Sequence, residues 1–344
     1  MRYSLIIPVY NRPDEVDELL ASLTEQTYKD FEVIVVEDGS SVPCERVVNR
    51  YAAALDMKYF VKPNGGPGKA RNYGAERSRG EYLIVLDSDC VIPEGYLQAV
   101  EDELRREPAD AFGGPDRAHD SFTPLQKAIN YSMTSFFTTG GIRGGRKQMD
   151  AKFYPRSFNM GIRSGLYKSL GGFADMRFGE DIDFSIRIYG SGARCRLFPG
   201  AWVWHKRRTD MRKFFKQVHN SGIARINLMK RHPGTLKLVH LLPAVFTLGV
   251  CACLALALCG IGLMVAGKGA AAFLTGLAPL VLFSLLIFAD SSLRNRSVRI
   301  GLLSIAASYV QLTGYGTGFL RAWWLRCVCG RNEELQAFRE SFYK

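Results

Sequence analysis

Tyr82-Leu83-Ile84-Val85-Leu86-Asp87-Ser88-Asp89-Cys90 is an apolar run that stops abruptly at two carboxylates one residue apart. A run without alternation reads as a strand buried on both faces, as in parallel sheets. Ligands of open α/β sheets collect at the carboxyl ends of such strands. Two aspartates at i and i+2 on a chain leaving a strand can share one cation, and oxygen ligands favour Mg2+ or Mn2+. A second reading makes Ser88 or Asp89 the cap of a following helix, with Pro93-Glu94 in its first turn. On this segment alone both readings stand.

Upstream the same grammar repeats. Leu5-Ile6-Ile7 runs into Pro8-Val9-Tyr10-Asn11-Arg12, and Pro13 suits the first position of a helix. Val16, Leu19, Leu20 and Leu23 then recur at helical spacing. Phe31 to Val36 predicts a second strand ending in Glu37-Asp38-Gly39-Ser40, and Met57 to Val61 a third. Gly66-Pro67-Gly68 opens a helix through Lys69-Ala70-Arg71-Asn72. Strand and helix alternating in this way predict a mostly parallel, Rossmann-like α/β sheet with right-handed crossovers. Tyr10-Asn11, Glu37-Asp38 and Asp87-Asp89 then fall on one edge, the expected place of a nucleotide crevice. No GxGxxG follows the first strand and there is no Walker lysine loop, which speaks against dehydrogenase and P-loop chemistry.

The 344 residues change character along their length. Up to about Gly234 the composition is that of a soluble α/β chain. Beyond it, Leu238 to Ala266 carries no charge apart from His240, and Gly269 to Ala289 carries none. Both exceed the roughly 18–20 residues that cross a bilayer core. Ile300 to Leu320 is also uncharged but holds Gln311, Thr313 and several glycines, and is a weaker span. The net charge of +12 concentrates beside these segments. Arg207, Arg208, Arg212, Lys213 and Lys216 precede the first, Arg294, Arg296 and Arg299 link the second to the third, and Arg321 and Arg326 flank Trp323-Trp324. Positive residues beside spans mark cytoplasmic loops, so this placement points to a membrane rather than to nucleic acid. It predicts a multi-pass membrane protein with a cytoplasmic amino-terminal domain, and a third segment that does not cross completely. Eight scattered cysteines form no disulfide or metal framework, and no signal-peptide pattern precedes the strand that Arg2-Tyr3-Ser4 opens.

Pro8-Val9-Tyr10-Asn11, Glu37-Asp38-Gly39-Ser40, Ala70-Arg71-Asn72 and Asp87-Ser88-Asp89 resemble, in this order, family 2 glycosyltransferases of the GT-A fold. Asn159-Met160-Gly161, Gly171-Gly172-Phe173 and Gly179-Glu180-Asp181-Ile182-Asp183 extend the resemblance over about residues 2–232. It implies a GT-A domain over 1–232, with a nucleotide-sugar half at 1–115 and an acceptor half at 116–232. Transmembrane or membrane-associated helices follow over 233–320, then a basic amphipathic tail over 321–344. Pro8, Tyr10, Glu37, Asp38, Arg71, Asp87, Ser88 and Asp89 would meet a nucleoside-diphosphate sugar. Asp89, Asp87 and His205 would hold Mn2+ or Mg2+, Asp181 would be the catalytic base of an inverting transfer, and Glu180 would stand on the acceptor side. For His205, the residues alone equally allow a surface histidine in an aromatic, basic patch. The acids at 180–183 also suit a helix N-terminus. The glycine-rich, basic stretch Thr139 to Lys152 reads either as a flap over a diphosphate or as a loop.

Polymerising relatives carry a Gln-x-x-Arg-Trp motif. Here Gln217 is followed by Val218-His219-Asn220 without it. The expected reaction is therefore transfer of one sugar to a lipid-linked glycan or glycolipid. The alternatives are a polyprenyl-phosphate glycosyltransferase and a non-catalytic nucleotide-sugar-binding scaffold.

Overall fold

The computed structural model describes residues 1–119, 121–140, 153–176 and 178–335. Most of the glycine-rich stretch before Lys152, and the tail from residue 336, lie outside the described residues.

In chain order the elements begin with β1 (Tyr3–Val9), α1 (Pro13–Thr24), β2 (Phe31–Asp38), α2 (Glu45–Tyr51), β3 (Met57–Lys62) and α3 (Pro67–Ala75). Next come β4 (Tyr82–Leu86), β5 (Cys90–Val91), α4 (Tyr96–Arg106), β6 (Ala111–Gly113) and β7 (Asp116–Arg117). They are followed by α5 (Pro124–Thr134), α6 (Phe136–Thr139), β8 (Asn159–Arg163), α7 (Ser164–Ser169) and α8 (Glu180–Gly190). The chain continues through β9 (Cys195–Leu197), β10 (Val203–His205), α9 (Met211–Arg231), α10 (Leu242–Val265), α11 (Ala271–Asn295) and α12 (Val298–Trp323). These elements form two compact units, one from the described residues up to 119 and from 153 to 206, the other from 121–140 and 207–335.

The first unit is built on a seven-stranded sheet of order β3-β2-β1-β4-β8-β6-β9. β1 pairs parallel with β2 and β4, β2 pairs parallel with β3, and β8 runs antiparallel between β4 and β6. Every residue of β4 and β2 is buried, which is why their sequences show no alternation. One face packs against α1, whose Val16, Leu19, Leu20 and Leu23 are all fully buried. Each such side chain contributes about 1.5–3 kcal/mol of apolar burial. The other face takes Phe173, Phe184 and Ile188 against Leu83, Val85 and Met160. A second sheet of order β5-β10-β7 sets His205 opposite Cys90 and Trp204 opposite Arg117. The first unit's larger sheet is mostly parallel, as expected.

The reading of Ser88 or Asp89 as a helix cap does not hold. Residues 87–90 form a turn closed by the Cys90 N–H donating to the Asp87 carbonyl at 3.0 Å, and α4 starts only at Tyr96.

The second unit is helical. Its centre is α12, which packs along α9 so closely that a Cβ on Gly318 would lie 2.0 Å from the His219 carbonyl oxygen. Ala128 and Ile129 of α5 join Phe214, Val218, Ile300 and Ala307 in one apolar cluster, and the Tyr131 hydroxyl donates to Asp290 at 2.6 Å. Residues 121–140, which carry α5 and α6, therefore fold with the carboxy-terminal helices, although in sequence they lie between strands of the first unit. Two helices, Leu238–Val265 and Ala271–Asn295, are long and apolar enough to cross a membrane. α12 differs from them by burying Ile300, Ser304, Ala307, Ser308, Leu312 and Phe319 among others. It meets α10 at Pro243, Phe246 and Thr247 and α11 at Ser284, Phe288 and Ser291, away from the turn that joins those two helices.

Candidate active site

Three strand ends and one helix start of the first unit carry the chemistry. At the end of β1, Pro8 and Tyr10 are half-buried, and Asn11 adopts a left-handed backbone with φ +52°. Asparagine tolerates that region because its short side chain bonds locally. Here the Asn11 Oδ1 accepts from the Ser41 and Val42 N–H groups at 2.8 and 3.0 Å. At the end of β2, Glu37 is fully buried and accepts from the Cys44 N–H at 2.9 Å and the Tyr59 hydroxyl at 3.0 Å. Asp38 accepts from the Gly65 and Gly66 N–H groups at 2.9 and 2.8 Å and pairs with Lys62. Both acids thus hold the loops that follow β2 and β3.

The turn after β4 presents Asp87 half-buried and Ser88 and Asp89 buried. The Arg12 Nη1 donates to Asp89 Oδ2 at 2.5 Å, and His205 Nε2 lies 3.2 Å from Asp89 Oδ1. The His205 ring stacks on Phe158, with centroids 4.9 Å apart. Asp89, His205 and the Cys90 thiol offer ligand atoms within 4.8 Å of one another. Burial, helped by the charges of Asp89 and Asp87, pushes the Cys90 thiol well above its usual range, so it stays a neutral thiol. A carboxylate and an imidazole side by side, with Asp87 in the same turn, fit a divalent cation.

Gly179, with φ +81°, turns the chain into α8 and brings Glu180 and Asp181 to its first turn, both 7% exposed. Arg71, 3% exposed, donates through Nη2 to Asp87 and through Nη1 to Glu180, each at 2.8 Å. One buried guanidinium therefore ties the donor-side turn to the start of α8. Arg156 Nε donates to Asp181 Oδ2 at 2.6 Å, and the Ile182 N–H donates to Oδ1 at 2.8 Å. Burial raises the Glu180 carboxyl, with the Asp181 charge adding to it against the pull of Arg71. Burial acts on Asp181 in the same sense, but the Arg156 charge and hydrogen bond outweigh it and hold Asp181 below its ordinary range. Of the two neighbours, Asp181 keeps the negative charge.

All the expected residues lie in this unit; Asp87, Glu180 and Arg71 form one ion-paired chain, and Asp89, paired with Arg12, lies beside His205. Arg12 and Arg156 did not stand out in the sequence. Arg12 had a faint signal, a charge in the loop that also carries Asn11; Arg156 had none.

Acidic strand ends on a mostly parallel sheet and a buried, arginine-paired carboxylate at a helix start are the frame of a GT-A type transferase fold. Residues 4–170, just under half of the chain, match the model of glycosyl transferase family 2, so this part of the chain is a glycosyltransferase family 2 domain. The probable glycosyltransferase YdaM of Bacillus subtilis (strain 168) is 30% identical over 227 residues, covering 63% of this chain and 53% of that protein. The poly(ribitol-phosphate) beta-N-acetylglucosaminyltransferase TarS of Staphylococcus aureus (strain Mu50 / ATCC 700699) is 38% identical over 102 residues, 28% of this chain and 18% of that one. The chain thus spans about half of the first relative and under a fifth of the second. Among solved structures, the mannosyltransferase PcManGT from Pyrobaculum calidifontis, in complex with GDP-Man and Mn2+, superposes with a TM-score of 0.59 at 17% identity. That match covers 94% of this chain and 87% of PcManGT, and it shows the shared fold.

Proposed function

We propose that this chain is a membrane-bound inverting glycosyltransferase that moves one sugar from a nucleoside-diphosphate sugar to a lipid-linked glycan or glycolipid at the cytoplasmic face. The observation that carries it is Asp181: a buried carboxylate kept ionised by Arg156, in one unit with Asp87, Asp89 and His205. In this reading the acceptor hydroxyl loses its proton to Asp181 Oδ2 as its oxygen bonds to the anomeric carbon. The bond from that carbon to the diphosphate oxygen breaks on the opposite side. Arg156 is the group that must give way for the hydroxyl to reach Oδ2. Asp89 and His205, with Asp87, are the residues that would hold Mn2+ or Mg2+. A bound ion would neutralise charge on the leaving diphosphate. Pro8, Tyr10 and Ser88 line the donor side in this reading, while Glu37, Asp38 and Arg71 shape it from behind.

Two long apolar helices, with arginines in the link after the second and basic residues before the first, support membrane attachment and the cytoplasmic orientation. The burial of α12 against α9 and α5 supports an interfacial rather than a spanning third helix.

The test is Asp181→Asn in the purified chain in detergent, with donor hydrolysis or transfer and donor binding both measured. General-base help is typically worth ~10²–10⁴-fold, so turnover should fall by that order with binding retained. Equal turnover removes the assigned base, whereas donor binding with no turnover even in wild type favours the scaffold reading.

A further inference from the structure

Asp89, the carboxylate expected to face a cation, is already engaged through one oxygen. Arg12 holds Oδ2 at 2.5 Å and His205 approaches Oδ1 at 3.2 Å. The Arg12 side chain is 23% exposed and that of Asp89 9%, so the pair sits at the edge of the buried site rather than in bulk solvent. The direction of Arg12 is built in. Asn11 holds its left-handed conformation through the Ser41 and Val42 N–H groups, and its own N–H donates to Ser40 Oγ at 2.7 Å. The chain therefore leaves β1 with Arg12 aimed across to the turn after β4, 77 residues away in sequence. Asp87 and Glu15 add to the negative field around the guanidinium.

We propose that Arg12 is a resident counter-cation that competes with the divalent cation for Asp89, and so makes cation binding depend on the nucleoside diphosphate. This rests on the reading of the site as one that takes a nucleotide and a divalent ion. A carboxylate oxygen that accepts a guanidinium N–H is a poorer ligand until that bond is broken. A guanidinium displaced from a partly buried carboxylate then needs another anion, and a diphosphate matches its planar fork. With the diphosphate present, one exchange satisfies both charges: the cation takes Asp89 and Arg12 takes phosphate oxygens. Without it, the cation must displace Arg12 and leave it unpaired. Arg12 is thus a positioning residue that sets the order in which the site fills.

The test measures Mn2+ binding directly, by the loss of the free-ion electron paramagnetic resonance signal. It uses the purified full chain in detergent, with and without UDP or GDP. Wild type should bind weakly alone and tighter with whichever nucleotide fits. Arg12→Gln should bind Mn2+ about tenfold tighter without nucleotide, the order expected for one charge-assisted hydrogen bond no longer broken. Its gain from nucleotide should shrink. Arg12→Lys, which keeps the charge without the fork, should fall between them, and guards against misfolding of the glutamine variant. Equal or weaker Mn2+ binding in Arg12→Gln and Arg12→Lys, with binding still abolished by Asp89→Asn, overturns this inference alone. Mn2+ binding unaffected by Asp89→Asn overturns the cation site itself, and this inference with it.

Discussion

Removing the Arg71 guanidinium should weaken the catalytic unit in a way that depends on pH. Arg71 is 3% exposed and donates to Asp87 and Glu180, both at 2.8 Å. Arg71→Met fills the space but leaves two carboxylates without their cation. Asp87, 29% exposed at its side chain, can regain water, whereas Glu180 at 9% cannot. Breaking one partner out of a buried ion pair costs about 3–5 kcal/mol. Rehydration of Asp87 and protonation of Glu180 pull the figure to the low end, ~3 kcal/mol. For a unit of this size each kcal/mol moves the midpoint by about 2–4 °C, so the loss should be roughly 6–12 °C. The sign with pH follows from Glu180, whose carboxyl is already raised in the fold by burial. Without Arg71 it rises further. The folded state then binds a proton that the unfolded chain has released, in the window from the ordinary glutamate value up to the raised one. Stability of the variant is kept below that window and lost as pH climbs through it. Thermal denaturation of wild type and variant at pH 5.5 and pH 8 should therefore show the larger deficit at pH 8. A deficit that is equal at both, or larger in acid, refutes the account of Glu180. A loss below about 1 kcal/mol refutes the role of Arg71 as a strut. Arg71→Lys, with one point charge in place of a fork, should recover only part of the loss.

Arg156→Gln takes away the charge that holds Asp181 below its ordinary range, so the acid limb of the pH profile of kcat/KM should move to higher pH. An unmoved limb would separate Arg156 from the base. Gly318→Leu places a side chain where the first carbon already lies 2.0 Å from the His219 carbonyl oxygen, forcing α9 and α12 apart. A cost of about 1–3 kcal/mol or more is expected, read as earlier tryptic cleavage of the carboxy-terminal helices on heating. Gly262→Ala on α10, where nothing lies within 4 Å of the added carbon, should be neutral or slightly stabilising.

Much of the catalytic unit was legible because its signals are local. The apolar runs of β2 and β4 are continuous since both faces are covered, and the α1 stripe has the helical period since one face is covered. The acids at 37–38, 87–89 and 180–181 stand out because carboxylates directly after apolar strands or at a helix start are conspicuous. What stayed hidden is pairwise. An amphipathic α5 announces that it has an apolar face but not that the face meets Phe214 and Ile300. Arg12 and Arg156 are ordinary loop arginines until the fold brings them to Asp89 and Asp181 across 77 and 25 positions. No periodicity encodes such a meeting.

Those two arginines change how the acids should be understood. Asp87, Asp89, Glu180 and Asp181 would repel one another if all were ionised in a partly dry crevice, and desolvation would push them toward neutrality. Arg71 answers Asp87 and Glu180, Arg12 answers Asp89, and Arg156 answers Asp181. The site is therefore near charge balance without any substrate. A diphosphate alone would add negative charge, and a cation alone would have to break an existing ion pair. Only the two together exchange partners without leaving a charge bare. The same logic separates the two ends of the site: Arg71 is locked between two acids, whereas Arg12 and Arg156 each hold one oxygen of one acid.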